Sequence, residues 1–166
     1  MSYTTYVDWN GGRIRITWLP GAPLPPLELV TSAHGFCFFE GKVMLVDLDQ
    51  RGGDIPGGHR EPGETPEQTF RRECREEGSV EGRCTYIGCA EIDHSENIHW
   101  QPGGRYPRIG YQVFYRMDIE RLLPFDAAFE SRRRFFVEPA EAPRYHHQWH
   151  PLLDQILQAA LEAGPE

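Results

Sequence analysis

The sequence predicts an α/β domain in which two helices pack on a mixed β-sheet. Short runs rich in Phe, Val, Leu and Tyr lie on both sides of a Gly- and Pro-rich segment, and two separated helical patterns follow that segment. Elements of these kinds bury their apolar faces when the helices cover the sheet. At 166 residues the chain fits one domain, 1–166, with a core at 27–163 and an N-terminal extension at 1–20.

The N-terminal extension is predicted to be a β-hairpin. Residues 3–9 and 13–18 are β-prone, and Asn10-Gly11-Gly12 between them tolerates the positive φ angles of a tight turn. A Pro-rich connector at 21–26 suggests that the hairpin is added to the core domain. Its strand edge leaves a homodimer open as the oligomeric state.

The first half of the core is predicted to hold two paired strands, a loop and a helix. The strands are 34–40 and 42–48, and the loop is 49–63, which contains five Gly and two Pro. Thr65 as N-cap, Pro66 after it and Gln68 in capping-box position then predict a helix over 66–77.

The second half is predicted to contain three strands, a long loop and a final helix. The strands lie near 83–93, 109–118 and 133–138, with the loop at 94–108 between the first two. Pro151 begins the helix, whose apolar stripe predicts a buried face; the stripe consists of Leu152, Leu153, Ile156, Leu157, Ala160 and Leu161.

Charge and composition exclude several classes of protein. A net charge of −8 disfavours binding along a nucleic-acid backbone, because that affinity comes from Lys and Arg displacing counterions. The sequence has no apolar run long enough to span a membrane and no signal-peptide pattern, so we expect a cytoplasmic protein without membrane contact. The four cysteines lack metal-site spacing and are interpreted as reduced core residues; they are Cys37, Cys74, Cys84 and Cys89.

Three carboxylates on the first helix indicate a cation site. Glu73, Glu76 and Glu77 are spaced i, i+3 and i+4, so they project from one face and repel each other by about 0.2–0.5 kcal/mol per pair. A divalent cation with oxygen preference would reverse this cost. A solvated face with Arg72 and Arg75 as ion-pair partners is the open alternative. The Gly-rich segment before the helix favours the cation site, since it brings backbone groups and a positive dipole end to the carboxylates.

These residues resemble the Nudix box, written G-x5-E-x7-R-E-U-x-E-E-x-G-U with U aliphatic. The chain departs from it at Ser79, where the family has Gly, and Gly78 precedes that position; Cys74 stands at an apolar position. The departure puts the orientation of Glu77 in doubt. The positions that match in register are Gly58, Glu64, Arg72, Glu73, Glu76, Glu77 and Val80.

The resemblance implies an α/β/α sandwich and attack of water on a nucleoside diphosphate linked to another group. By the same resemblance, Glu73, Glu76 and Glu77 would hold Mg²⁺ or Mn²⁺. Glu73 is the first candidate for the general base. Arg72 and Glu64 would form a structural pair that orients the carboxylates.

Further ligands are implied by the same resemblance. A backbone carbonyl of Gly57 or Gly58 would join the three carboxylates at the cation. An additional acidic ligand is expected from a loop before the late strand, where Glu130 stands, with Glu96 as a weaker rival.

Substrate recognition is assigned by hypothesis to the loop at 93–108. Trp100, Tyr106 and the arginines Arg105 and Arg108 combine stacking groups with phosphate-binding cations. The open alternative is a surface loop with Trp100 in the core.

Three histidines precede the last helix: His146, His147 and His150. Without an acidic or Cys partner nearby in the sequence, we interpret them as helix-capping or surface residues.

Three other functions remain open at this point. An isomerase or a non-catalytic nucleotide-sensing module is possible on the same fold, although a sensor has no need for the full set of Glu73, Glu76 and Glu77. An RNA 5′-pyrophosphohydrolase would need a basic groove, which a net charge of −8 does not indicate. Fold-level analogy does not identify the substrate.

Overall fold

The structure is a computed structural model, and it describes residues 2–48, 52–125 and 131–165. Within these ranges the strands form one sheet in the order β1-β2-β7-β8-β3-β4-β5, with β6 beside β3 and β9 beside β4. Because β3 runs parallel to β8 and the other neighbours are antiparallel, the sheet is mixed, as predicted. The strands are β1 (Tyr3–Trp9), β2 (Gly12–Pro20), β3 (Val30–Phe39), β4 (Lys42–Leu48), β5 (Gly52–Asp54), β6 (Gly57–His59), β7 (Val80–Asp93), β8 (Ile109–Leu122) and β9 (Ser131–Val137).

The N-terminal hairpin is confirmed, but it belongs to the sheet and is not an addition to it. Its turn places Asn10 and Gly11 at φ angles of 55° and 84°. Strand β2 then pairs with β7, with Trp18 opposite Ala90. Apolar residues at every second position of β2 make one face hydrophobic, and this face is buried in the same cluster as the last helix.

The Gly-rich segment contains two short strands, so the prediction of a continuous loop at 49–63 was wrong. Strand β5 pairs with β4, and β6 pairs with β3, with Ala33 opposite Gly58. The glycines permit close approach as well as turns: a Cβ added at Gly58 would lie 2.4 Å from Oε1 of Glu73. The absence of side chains lets the backbone of β6 reach the carboxylates.

The acidic helix begins where predicted and changes geometry before its end. Helix α1 covers Pro66–Glu73, and the capping box at its start joins Thr65 and Gln68 through reciprocal hydrogen bonds of 3.1 and 2.8 Å. The expected α-helix to residue 77 ends at Glu73, because a π-helical turn continues over Cys74–Gly78.

Ser79 ends this turn in the left-handed conformation, with φ 53° and ψ 47°. A Cβ at Gly78 would lie 2.5 Å from Cε of Met44, so glycine at 78 allows the turn to pack against β4. Ser79 therefore occupies the conformation that a glycine usually adopts after a helix.

Helices cover both faces of the sheet, which confirms the sandwich. Helix α1 packs with one apolar cluster that includes Phe70, Met44 and Met117, and helix α3 (Pro151–Glu162) packs with the other. A short helix α2 (Ala142–Tyr145) precedes α3, and 3₁₀ turns lie at Leu27–Leu29 and Pro139–Glu141. All four cysteines are free thiols. None of the helices in the described ranges has the length and apolar character needed to cross a membrane.

Candidate active site

A pocket of about 810 Å³ lies between strand β6 and helix α1. We call it the acidic pocket, because five of its wall residues are carboxylates: Asp54 of β5, Glu61, Glu73, Glu76 and Glu77. The capped helix and the glycine strand bring these groups to one wall. The other lining residues are His34, Leu48, Ile55, Gly57, Gly58, His59, Arg60, Pro62 and Arg72.

Two carboxylates of the acidic pocket lie beside each other; Glu77 is buried and Glu73 is partly buried. Glu77 is only 6% exposed, and its Oε1 accepts a hydrogen bond of 3.0 Å from the backbone N–H of Gly57. Burial, followed by repulsion from Glu73, raises the pKa of Glu77 to about 8. Burial also raises the pKa of Glu73. A site that disfavours its own carboxylate charges is a site that a bound cation would stabilise.

Arg72 organises the outer side of this cluster. Its Nε and Nη2 donate to the two oxygens of Glu64, at 2.7 and 3.1 Å, and its Nη1 donates to Glu73 and Glu76 at 3.0 and 3.3 Å. The bond to Arg72 is the main reason that the pKa of Glu64 is lowered to about 2. A bidentate pair of this kind fixes the direction of the guanidinium, and through it the two helix carboxylates.

The donor set fits a hard divalent cation. Glu73, Glu76 and Glu77 supply oxygen atoms only, and Gly57 and Gly58 place backbone groups on the same wall. Mg²⁺ and Mn²⁺ prefer such ligands. Arg72 contacts Glu73 and Glu76 from the helix side, whereas the buried Glu77 is bonded to the backbone of β6.

Sequence reasoning missed two histidines of the site. Burial lowers the pKa of His34 to about 4, so this ring is neutral at pH 7, and its Nε2 lies 2.9 Å from Oγ of Ser32. His59 lines the acidic pocket and also the neighbouring one. Neither histidine has a spacing signal, because strand pairing places both at the site.

The neighbouring pocket, about 480 Å³ in volume, has a different chemistry. We call it the aromatic pocket, because the Tyr106 ring contacts the rings of His59 and His94, at centroid distances of 6.1 and 6.0 Å. Among the residues that the structure describes, none that line this pocket is acidic, and the two pockets share His59 as a common wall. The other lining residues are Trp9, Asn10, Thr31, Ser32, Ile92, Asn97, His99, Pro107, Gly110 and Gln112.

The predicted substrate-binding residues occupy different places around the aromatic pocket. Tyr106 lines it. Trp100 is half-buried outside the core and donates from Nε1 to the carbonyl of Tyr106 at 2.8 Å. Arg105 is exposed, with its guanidinium 5.4 Å from the Tyr106 ring centroid, and the exposed Arg108 accepts a backbone bond from His94 at 2.7 Å.

The two candidates for an additional acidic ligand, Glu130 and Glu96, have different outcomes. Glu130 lies outside the described residues. Glu96 is about half exposed and lies 3.9 Å from Arg13 of the hairpin, and it does not line the acidic pocket.

The interpretation of the three C-terminal histidines needs one correction. His150 caps α3, since its Nδ1 accepts from the backbone N–H of Leu152 at 3.2 Å, as predicted. His146 and His147 do have an acidic partner, which is Asp54, at 2.9 and 3.4 Å. The prediction missed it because Asp54 is distant in the sequence and is brought close only by the folding of β5 against the end of α2.

A model of the NUDIX domain matches residues 31–159 of the chain. A search among curated proteins finds no match. Similar solved structures include a mutant of the Bacillus subtilis pyrophosphohydrolase BsRppH, with 20% identity, a TM-score of 0.72 and 98% of each chain covered. The E. coli ORF135 protein has 25% identity and a TM-score of 0.55, with 84% of this chain and 96% of that one covered. An ADP-ribose pyrophosphatase from Streptococcus suis has 17% identity and a TM-score of 0.54, with 81% and 91% covered.

Proposed function

The chain belongs to the Nudix family of hydrolases, and we propose that it cleaves the pyrophosphate bond of a nucleoside diphosphate linked to another group. The observation that carries this proposal is the carboxylate pair of the buried Glu77 and the partly buried Glu73, in a pocket that shares a wall with a neutral aromatic pocket. One pocket has the charge to hold a cation and a diphosphate, and the other suits an uncharged ring system.

The proposed cofactor is Mg²⁺ or Mn²⁺, held by Glu73, Glu76 and Glu77. A backbone carbonyl of Gly57 or Gly58 is the proposed additional ligand on the same wall, and Glu130 remains a proposal without structural support. When bound, such a cation screens the phosphate oxygens and lowers the pKa of a bound water molecule.

The residues of the chain would prepare water for attack on phosphorus. Glu73 is proposed to accept the proton of the water molecule, whose oxygen then forms the new P–O bond as the bond to the leaving phosphate breaks. Arg72 and Glu64 act as positioning residues, because their bidentate pair fixes the helix carboxylates. This division assigns cation binding and proton transfer to the carboxylates of α1 and of the π-helical turn after it, and orientation to the ion pair that joins Arg72 of α1 to Glu64 of the preceding loop.

The aromatic pocket is proposed to bind the nucleobase. Tyr106 and Trp9 offer ring faces, on which stacking is worth about 1–3 kcal/mol per base. Asn97 and Gln112 offer amide groups that both donate and accept hydrogen bonds. Trp9 comes from the hairpin, which lies before the part of the chain that the family model matches.

The rest of the loop at 93–108 is proposed to support this pocket. Trp100 would brace the backbone at Tyr106 through its 2.8 Å bond. Arg105 and Arg108 are exposed and flank Tyr106 and Pro107, which line the pocket, and their proposed role is to contact the phosphates.

The test is a substrate panel assayed with and without Mg²⁺ in ¹⁸O-labelled water. The panel contains ADP-ribose, a dinucleoside polyphosphate, coenzyme A, nucleoside triphosphates and a 5′-triphosphorylated RNA. We expect Mg²⁺-dependent release of a nucleoside monophosphate or its phosphate partner, with one ¹⁸O atom on a product phosphate. Cleavage of the RNA alone would replace the proposal by RNA 5′-pyrophosphohydrolase activity. Binding without cleavage would replace it by a nucleotide-sensing role, and conversion without ¹⁸O incorporation by isomerase activity.

A further inference from the structure

We propose that Asp54, His146 and His147 form a second cation site, separate from the Glu73, Glu76 and Glu77 set, that takes a borderline divalent transition metal such as Zn²⁺. Among the described residues, these three offer one ligand atom each, and the three atoms lie within 4.8 Å of one another. Two imidazoles and one carboxylate are a ligand set typical of Zn²⁺ and related ions.

The ligand atoms already converge on one point. Nε2 of His146 lies 2.9 Å from Oδ1 of Asp54, and Nε2 of His147 lies 3.4 Å from Oδ2 of the same carboxylate. Zinc ligands stand about 2.0–2.2 Å from the metal. Ligand atoms around one such ion are therefore separated by distances close to those seen here.

The backbone holds the two histidines in place before any ion binds. The N–H of His147 donates to the carbonyl of Gly53 at 2.9 Å, and Gly53 also forms a β-bridge with His146. A Cβ at Gly53 would lie 2.4 Å from the carbonyl oxygen of Tyr145, so only glycine lets this segment lie directly on β5. Trp149 packs edge-on against the His146 ring at 5.6 Å. A preorganised site of this kind loses little entropy on binding.

Without metal, the same hydrogen bonds from His146 and His147 to Asp54 join the end of α2 to β5; we call this arrangement the clamp. The N–H of Gln148 donates to Nδ1 of His146 at 3.1 Å, which places the proton of neutral His146 on Nε2, facing Asp54. An ion at Nε2 moves that proton to Nδ1 and breaks the bond to Gln148. Gln148 is exposed, so water replaces His146 as the acceptor of its N–H.

The position of the site gives it access to the reaction. Three protein ligands leave at least one coordination position for water or for an oxygen of a bound anion. Asp54 lines the acidic pocket, so an ion beside it adds positive charge to the wall facing the carboxylate cluster.

The experiment is a Co²⁺ titration of the full chain in a large excess of Mg²⁺, followed by visible absorption. Mg²⁺ saturates the oxygen-only site and competes poorly for imidazole, so the result does not depend on hydrolysis. We expect one equivalent of Co²⁺ to bind and to show the visible absorption band of Co²⁺ in a site of low symmetry. Zn²⁺ should displace the Co²⁺ and remove this band. His147→Gln and Asp54→Asn should weaken binding at least about tenfold, whereas the exposed His99→Gln should leave it unchanged.

His147→Gln separates the metal site from the clamp. The amide keeps a hydrogen-bond donor for Asp54 but is a poor transition-metal ligand. Metal-free circular dichroism and melting temperatures confirm that each variant is folded. The proposal is overturned if wild type takes up no Co²⁺ in excess Mg²⁺, or if His147→Gln and Asp54→Asn bind it as tightly as wild type.

Discussion

The acidic pocket and the aromatic pocket are neighbours, but they differ in the chain segments that form them and in the exposure of their central side chains. The acidic pocket takes most of its wall from one continuous stretch, 54–77, in which Glu77 is buried and Arg72 holds Glu73 and Glu76 in place. The aromatic pocket is assembled from the hairpin turn, from single residues of β6 and β7, from β3 and β8, and from the loop at 94–107. Its central ring, Tyr106, is 37% exposed.

This difference indicates a division of labour between bond cleavage and substrate selection. Cleavage needs charges at fixed positions, which a capped helix and a bidentate ion pair provide. Selection needs a shaped surface, which distant segments supply once the sheet is formed. If the division holds, variants of the acidic pocket change kcat and variants of the aromatic pocket change KM.

The largest expected effect comes from the buried carboxylate. Glu77→Gln should lower kcat by at least about a hundredfold, since losing even a residue that supports a metal ligand costs roughly 10–100-fold, while KM changes little. The protein should remain folded, because Gln still accepts the Gly57 N–H bond. Steady-state kinetics at saturating Mg²⁺ provide the measurement.

The matched control for this variant is Glu67→Gln on the same helix. Glu67 is about half exposed, pairs with Arg71 and lies outside the acidic pocket, so its loss should leave kcat unchanged. Wild-type turnover in Glu77→Gln would refute the assignment of this residue as a metal ligand.

The second effect concerns the aromatic pocket. Tyr106→Ala should raise KM about tenfold with kcat nearly unchanged, because it removes a stacking surface worth about 1–3 kcal/mol. Trp9→Ala should act in the same direction. Tyr6→Ala is the control, since Tyr6 is an exposed ring of the same hairpin that contacts Arg13 and does not line the pocket. If Tyr106→Ala or Trp9→Ala lowers kcat as much as Glu77→Gln does, the proposed division between the two pockets is wrong.

The third effect is the pH dependence of metal-free stability. The pKa of Glu77 is raised from its ordinary value of 4.5 to about 8 in the folded protein. The contribution of this group to the free energy of unfolding is therefore lost as the pH rises from 4.5 to about 8. The slope from one group is at most about 1.4 kcal/mol per pH unit. His34 has a lowered pKa and acts below pH 6.5. Burial raises the pKa of the thiols of Cys74, Cys84 and Cys89, but these are the same in Glu77→Gln, so the difference between the two proteins from pH 7 to 8.5 reports Glu77.

Melting curves in a chelator measure this dependence. As the pH rises, the melting temperature of wild type should fall relative to that of Glu77→Gln, by roughly 2–4 °C for each kcal/mol of unfolding free energy lost. Excess Mg²⁺ should abolish this difference. If the melting temperatures of the two proteins depend on pH in the same way in chelator, burial does not disfavour the charge of Glu77.

The smallest effect concerns Ser79, which departs from the family pattern. Its left-handed conformation costs a residue with a Cβ about 1 kcal/mol more than glycine. Ser79→Gly should therefore be more stable than Ser79→Ala by about this amount in urea denaturation; both variants lack the hydroxyl group. Equal stabilities would mean that the π-helical turn relaxes to accept the side chain.

The sequence predicted the parts of the site that lie within one element. The capping box of Thr65 and Gln68 fixed the start of α1, and i, i+4 spacing placed Glu73 beside Glu77. The strand character of Gly57–His59 was missed, because glycine is typical of turns and only pairing with β3 makes it a strand. The contact of Asp54 with His146 was missed because sequence spacing does not report tertiary contacts between distant segments.

The most direct test of the division between the two pockets is a double-mutant cycle of Glu76→Gln and Tyr106→Ala on the substrate that the panel identifies. Glu76 should act on kcat and Tyr106 on KM, so their effects on log kcat/KM should add within about 0.5 kcal/mol, as for independent sites. A double variant no worse than Glu76→Gln alone would show that both pockets act in the same step, and would contradict the division.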